Sequence, residues 1–300
     1  MLCFNTGIDC EMSIMEGKIC LITGSTSGIG KEIAVGLAKM KATIVLVGRD
    51  KDKCEATVEE ISNRAGIIVS KSGENRVSYI EADLSLQASI RKLADEFLAR
   101  HQRLDILINN AGVFVAKRTT TADGIEYTLA VNHLAPFLLT SLLIDRIRAS
   151  SPSRIITTSS IAQKGAKIDF EDIQFERRRY SGIKAYAQSK LANILFTSEL
   201  AKRLHGTGVT ANCFHPGGVR TNLAQRNPWY YRLIWAMIGP FLLSPEKGAD
   251  TGIYLASSPI VESVSGKYFE KRKETNPSDD AKDPNTAVKL WRVSEELAGM

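Results

Sequence analysis

No two of the five cysteines, Cys3, Cys10, Cys20, Cys54 and Cys213, form a CxxC pair, and their number is odd. This excludes a disulfide scaffold and a zinc-ribbon site, and it places the chain in a reducing compartment, read here as the cytoplasm. No run reaches the roughly 20 apolar residues of a membrane-spanning helix. The longest, Trp229 to Leu243, is broken by Arg232 and by Gly239-Pro240. Basic residues outnumber acidic ones 39 to 33, yet only Arg177 to Arg179 and Lys271 to Lys273 cluster. With no Arg-rich or aromatic-interleaved stripe, a nucleic-acid groove is not indicated. A basic rim can still attract an anionic cofactor or an acidic membrane surface. Internal repeats and linkers are missing too, so residues 17–300 read as a single domain. The preceding residues 1–16 read as a loose extension: two acids and no basic residue fit neither a secretory signal nor a mitochondrial presequence.

What is present is a regular alternation. Short apolar runs at Lys18 to Thr23, Thr43 to Val47, Val77 to Glu81, Leu104 to Ile108, Arg154 to Thr158 and Val209 to Phe214 read as strands. Amphipathic helical patterns lie between them, among them Leu86 to Arg100, Ile125 to Arg148 with a kink at Pro136, and Ile183 to His205. This pattern predicts an α/β fold, a Rossmann-type doubly wound parallel sheet with helices on both faces. Pro245 to Ser257 adds a helix and Gly266 to Glu270 an edge strand. An amphipathic tail, about 280–298, closes the chain with Leu290 and Trp291 as anchors. Gly66 to Asn75 reads as an inserted surface loop, and the long polar connection from Ile161 to Lys184 as a lid or flap.

Such sheets bind ligands at the carboxyl ends of their strands, and the unusual residues of this chain all fall there. Gly24-Ser25-Thr26-Ser27-Gly28-Ile29-Gly30 joins the first strand to its helix, the arrangement in which backbone N–H groups and a helix N-terminus receive a pyrophosphate. Arg49 ends the second strand, where an arginine accommodates a 2′-phosphate; this favours NADP(H) over NAD(H). Asp50 beside it is either a ribose ligand or a helix cap. Asn109 to Gly112 follow the fourth strand, Ser159-Ser160 the fifth, and His215 to Thr221 the sixth. Asn132 is polar among apolar neighbours, while His133 reads as structural. Tyr186 and Lys190 stand one helical turn apart, so a phenol and an ammonium share one face. A nearby cation favours the phenolate, which makes Tyr186 a candidate proton donor and acceptor. The apolar segment within a flap at about 217–245 suggests a greasy substrate, or a contact with a membrane or a second subunit.

Thr23-Gly24-(x)3-Gly28-Ile29-Gly30, Asn109-Asn110-Ala111-Gly112, Asn132, Ser160, Tyr186-(x)3-Lys190 and Pro216-Gly217-(x)3-Thr221 together resemble the short-chain dehydrogenase/reductases. They run in that family's order across about 250 of the 300 residues. The Ser160–Tyr186 connection, the run KLANILF and the LWRVSEEL tail resemble the retinol dehydrogenase branch and its WW-domain oxidoreductase relatives. The resemblance implies that Tyr186 is general acid in carbonyl reduction and base in alcohol oxidation. Lys190 would lower its pKa and bind the nicotinamide ribose, Ser160 would hydrogen-bond the substrate oxygen, and Asn132 would hold a water linking Lys190 to solvent. It further implies that Gly24, Gly28 and Gly30 bind the pyrophosphate side, Arg49 the 2′-phosphate, Asp83 and Leu84 the adenine, Asn109 the adenosine ribose region, and Thr221 the nicotinamide end. Ser25, Ser27, Ile29, Ala111, Gly112, Pro216, Gly217 and Val219 complete the expected cofactor set, with Tyr186 and Lys190. The implied activity is NADP(H)-dependent hydride transfer to or from a lipophilic retinoid-, steroid- or fatty-aldehyde-like alcohol or carbonyl. A homo-oligomer packed through the Ile125 and Ile183 helices goes with it; the rival is a noncatalytic NADP(H)-binding regulator on the same fold.

Overall fold

The first strand, β1 (Ile19–Thr23), sends Cys20 and Ile22 into one helical layer and Leu21 into the other. A strand covered on both faces has no polar side to show, which is why it reads ICLIT. The same holds along the sheet. The chain continues through α1 (Gly28–Lys39), β2 (Thr43–Gly48), α2 (Lys51–Arg64), β3 (Val77–Glu81), α3 (Gln87–Arg100), β4 (Ile106–Asn109) and α4 (Tyr127–Ala149). It then forms β5 (Ser153–Thr158), α5 (Gly182–Arg203), β6 (Val209–His215), α6 (Pro245–Ser257), β7 (Tyr268–Glu270), β8 (Lys273–Glu274) and α7 (Pro284–Leu297). This computed structural model describes residues 14–67, 76–220, 223 and 242–300.

The strands form an eight-stranded sheet in the order β3-β2-β1-β4-β5-β6-β7-β8, with every pair parallel except β7 with β8. Ile33 and Leu37 of α1, Ile61 of α2 and Leu255 of α6 pack on one face. On the other, Phe97 of α3, Phe137 of α4, Phe196 of α5 and Trp291 of α7 form the opposite layer. The strand order reverses between β1 and β4, the switch point at which such sheets open a crevice. Of the described helices, α4 is long and apolar enough to cross a membrane, but 83% of its apolar window is buried inside the protein.

Three expectations are corrected. The Gly266 to Glu270 strand is not the edge: Phe269 and Glu270 pair with Glu274 and Lys273 of β8, a strand of two exposed residues with no apolar pattern to reveal it. Nor is the connection from Ile161 to Lys184 a lid. Ala166, Ile173 and Phe175 are buried, and Arg178 lies 3.8 Å from the Phe175 ring centroid while bonding Asp169 and Gln188. The kink expected at Pro136 is a π-helical turn over Ala130–Leu134, in which Ala135 N–H reaches the Ala130 carbonyl. Pro136 has no N–H to return to the Asn132 carbonyl, so the α-helical ladder cannot run through this turn. Of the two readings of Asp50, the structure shows the cap, accepting from Lys53 N–H at 3.1 Å. Residues 1–13 of the N-terminal extension, 68–75 of the expected surface loop, and 221–222 and 224–241 of the flap lie outside the described residues.

Candidate active site

An open cleft of about 910 Å³ follows the carboxyl ends of β1, β2, β4, β5 and β6. At one end the chain turns sharply after β1. Gly24 has φ +62°, and a Cβ there would lie 2.7 Å from Ala111 Cα, so only glycine fits. Thr23 Oγ1 donates to Ile108 O and accepts from the N–H groups of Asn110 and Ala111. Asn110 Nδ2 in turn donates to the Thr23 and Gly24 carbonyls at 3.0 and 3.2 Å, which fixes the glycine turn to the end of β4. Gly24, Ser27, Gly28 and Ile29 line the cleft; Arg49, Asp83 and Leu84 line its far end. Arg49 is exposed and forms no ion pair with a described residue, because its neighbour Asp50 is engaged by Lys53.

Three residues expected at the cofactor do not line it. Ser25 is fully buried: its hydroxyl donates to Ile22 O at 2.8 Å and accepts from Val47 N–H at 3.1 Å, lashing the turn to β2. Gly30 sits under the turn, where a Cβ would strike Asn110 Nδ2 and Gly24 O; it allows close helix–strand packing. Asn109 is 1% exposed and its Nδ2 donates to Thr140 Oγ1 on α4, so the expected ribose contact is not available to its side chain. Asn110, Thr26 and Lys53 face the cleft instead. For Asn110 the signal was there, since adjacent residues at a strand end point to opposite faces.

At the other end, Ala111, Gly112, Ser160, Tyr186, Lys190 and the loop of Pro216, Gly217 and Val219 converge. Thr221 lies outside the described residues. Lys190 is 2% exposed, and its Nζ donates to Thr158 O at 3.1 Å and stands 5.6 Å from the Tyr186 ring centroid. Burial brings its ammonium down from 10.5 to about 8. Burial likewise pushes the Tyr186 phenol up to about 12, against a smaller downward pull from the Ser160 hydroxyl hydrogen-bonded to it. The direction is opposite to the lowering expected from Lys190, because desolvation is the largest influence on the phenol. Ser160 Oγ accepts from Ala162 N–H at 3.2 Å, which orients it.

Asn132 is fully buried and does not line the cleft. Its amide accepts from Val113 N–H at 2.8 Å and donates to Val113 O and Ser189 Oγ, both at 3.0 Å. The side chain therefore has no hydrogen left for the water assigned to it, while the π turn leaves the Asn132 main-chain carbonyl without its α-helical partner. Around these groups the wall is apolar. Phe114 meets the Tyr186 ring edge-on at 6.1 Å, Tyr127 and Val131 continue the wall, and Ile161 and Ile183 stand exposed at the mouth. The cleft thus ends at a half-buried phenol and hydroxyl and a buried ammonium beside an apolar wall, which suits proton transfer to an oxygen on a greasy molecule.

Comparison with known proteins gives the same picture. The family model for short chain dehydrogenases matches residues 18–229. Human retinol dehydrogenase 12 is 44% identical over 298 residues, 99% of this chain and 92% of that protein. Among solved structures, an uncharacterized protein from Mycobacterium paratuberculosis is 32% identical with a TM-score of 0.78, covering 97% of both chains. The Pseudomonas aeruginosa RhlG/NADP active-site complex is 27% identical with a TM-score of 0.66, covering 86% of this chain and 96% of that one. This chain therefore belongs to the short-chain dehydrogenase family, in its retinol dehydrogenase branch, and is an oxidoreductase acting on CH–OH groups.

Proposed function

We propose that the protein uses NADP(H) and moves a hydride between the nicotinamide and a lipophilic alcohol or carbonyl of retinoid, steroid or fatty-aldehyde type. One observation carries the reading: a single cleft runs from Arg49, which forms no ion pair with a described residue, to the Tyr186–Lys190–Ser160 group and its apolar wall. The NADP bound in the RhlG structure and the 44% identity to a retinol dehydrogenase support cofactor and substrate class.

A nicotinamide bound there would supply the hydride to the carbonyl carbon. The glycine turn and the N-terminus of α1 would hold the pyrophosphate, and Arg49 with Lys53 would hold the 2′-phosphate. Asp83 and Leu84, which line that end of the cleft, would flank the adenine. Tyr186, held near 12, keeps its proton at neutral pH and gives it to the oxygen as negative charge develops; Ser160 donates to the same oxygen. Lys190 is mostly cationic at pH 7 and favours the transient phenolate. A water on the Asn132 carbonyl returns the proton through Lys190. Reduction is favoured where NADPH prevails. The apolar rim of Ile161, Ile183 and Leu243, beside exposed Lys164 and Lys184, suits a substrate delivered from a cytoplasmic membrane surface.

The test is NADPH consumption by the purified protein with aliphatic, retinoid and steroid carbonyls. Turnover with at least one class is expected, and none at all would sink the substrate assignment. Vesicle flotation of wild type against Ile183→Glu checks the rim: weaker binding by the variant is expected, and equal binding removes the membrane contact.

A further inference from the structure

One residue at the reactive end of the cleft has no part in that mechanism. His215 closes β6, is 7% exposed and lines the cleft. Its direction follows from strand alternation. Phe214 packs toward α1 and α6, while Cys213 packs against Leu191 and Leu195 of α5. His215 therefore faces the α5 side, the side that carries Tyr186 and Lys190. Its depth follows from pairing: Ser159 N–H donates to Phe214 O at 2.8 Å, so His215 stands one strand from Ser159-Ser160. The adenosine end, by contrast, lies over β1 to β3.

The ring is unusually placed for a packing residue. Nδ1 is sealed from solvent, and among the described residues neither Nδ1 nor Nε2 has a hydrogen-bond partner. A buried N–H without an acceptor is rarer than an acceptor with an unused lone pair, which assigns the proton to Nε2. Burial holds the imidazole below its ordinary 6.5; Glu270 opposes this, and Lys164 and Lys271 reinforce it. A neutral donor is thus aimed into a site already rich in hydrogen-bonding groups.

We propose that His215 is a further ligand-binding residue, its Nε2–H donating to an uncharged carbonyl-type oxygen at the nicotinamide end of the cleft. That oxygen belongs either to the nicotinamide carboxamide or to a second oxygen function on the substrate. The proposal rests on the reading of the cleft as an NADP(H) site. It leaves the general acid unchanged and adds a contact that orients the reacting partners.

The experiment compares wild type, His215→Leu and His215→Gln as full chains, with thermal melting to check folding. Each is titrated with NADPH and with its thionicotinamide analogue, in which sulfur, a weak acceptor, replaces the carboxamide oxygen. Losing one neutral hydrogen bond should weaken the Leu variant about 3- to 10-fold, and Gln, which keeps an N–H donor, should recover most of that. A loss with NADPH and none with the analogue assigns the carboxamide. Unchanged NADPH affinity with a 3- to 10-fold fall in kcat/KM, recovered by Gln, assigns the substrate oxygen. Equal losses in Leu and Gln, or no loss in either measurement, overturns the proposal. A wild type that binds NADH and not NADPH overturns the cofactor reading alone, and the same comparison is then made with NADH and its thionicotinamide analogue.

Discussion

Replacing Arg49 by alanine removes a cation at the end of β2 that forms no ion pair with a described residue. Asp50 lies next to it but accepts from Lys53 N–H at 3.1 Å, with Lys53 Nζ 3.4 Å from its other oxygen. The acid is thereby oriented toward α2, and its charge is balanced by a lysine. A guanidinium–phosphate contact is charge-assisted and bidentate, but Arg49 is solvent-exposed and screened by salt, so the low end of the usual range applies. The expected result is a rise of about 10- to 30-fold in the Kd for NADPH. Lys53 remains and preserves part of the preference. The Kd for NADH should not change, because that ligand has no phosphate for Arg49 to hold. Calorimetric titration of both cofactors into wild type and variant, at one fixed ionic strength, measures this. Equal weakening of NADPH and NADH, or no change in either, would refute the assignment of the 2′-phosphate to Arg49.

Three further outcomes follow from the packing. Asn132→Ala strips partners from Val113 N–H, Val113 O and Ser189 Oγ; roughly 2–4 kcal/mol is expected, a fall in Tm of about 4–12 °C by calorimetry, and a fall below about 1 °C contradicts it. His133 is buried against Ser294 Oγ at 2.8 Å, and burial holds it at about 4, below its ordinary 6.5. The unfolded chain therefore binds this proton first, and stability should fall as pH drops from 6.5 toward 4, by roughly 3 kcal/mol in all. A His133→Gln variant should show a flatter acid limb in urea titrations; an identical limb removes His133 as the cause. Trp291→Ala empties the ring cluster in which Phe137 and Phe196 lie 5.0 and 5.9 Å from Trp291, and should cost about 3–5 kcal/mol of unfolding free energy. A loss under about 1 kcal/mol would mean that α7 is not part of the core.

The doubly wound sheet was legible because both signals it needs are local: six apolar runs of strand length, and helical periodicity between them. The Tyr186–Lys190 pair was legible for the same reason, since one helical turn fixes their common face. What could not be read depends on burial or on pairing across the chain. The direction of the Tyr186 shift is set by desolvation, which no spacing reports. Asn109 and Asn110 are indistinguishable in composition; only the facing of the β4 end decides that one bonds Thr140 and the other the glycine turn. Ala166, Ile173 and Phe175 follow no helical or strand period, so the segment they anchor resembled a free lid. His215 sits in a loop motif noted for its Pro216-Gly217 pair, and only the completed cleft gives its ring a direction.

The measurement that reaches the central claim most directly is a single turnover with NADPH-loaded protein and one lipophilic aldehyde, run on wild type and Tyr186→Phe in parallel. The account predicts that the variant binds NADPH as wild type does yet transfers hydride at least about 100-fold more slowly, because the developing alkoxide meets no proton. Equal rates in the two proteins would contradict it, and would move the general acid away from Tyr186.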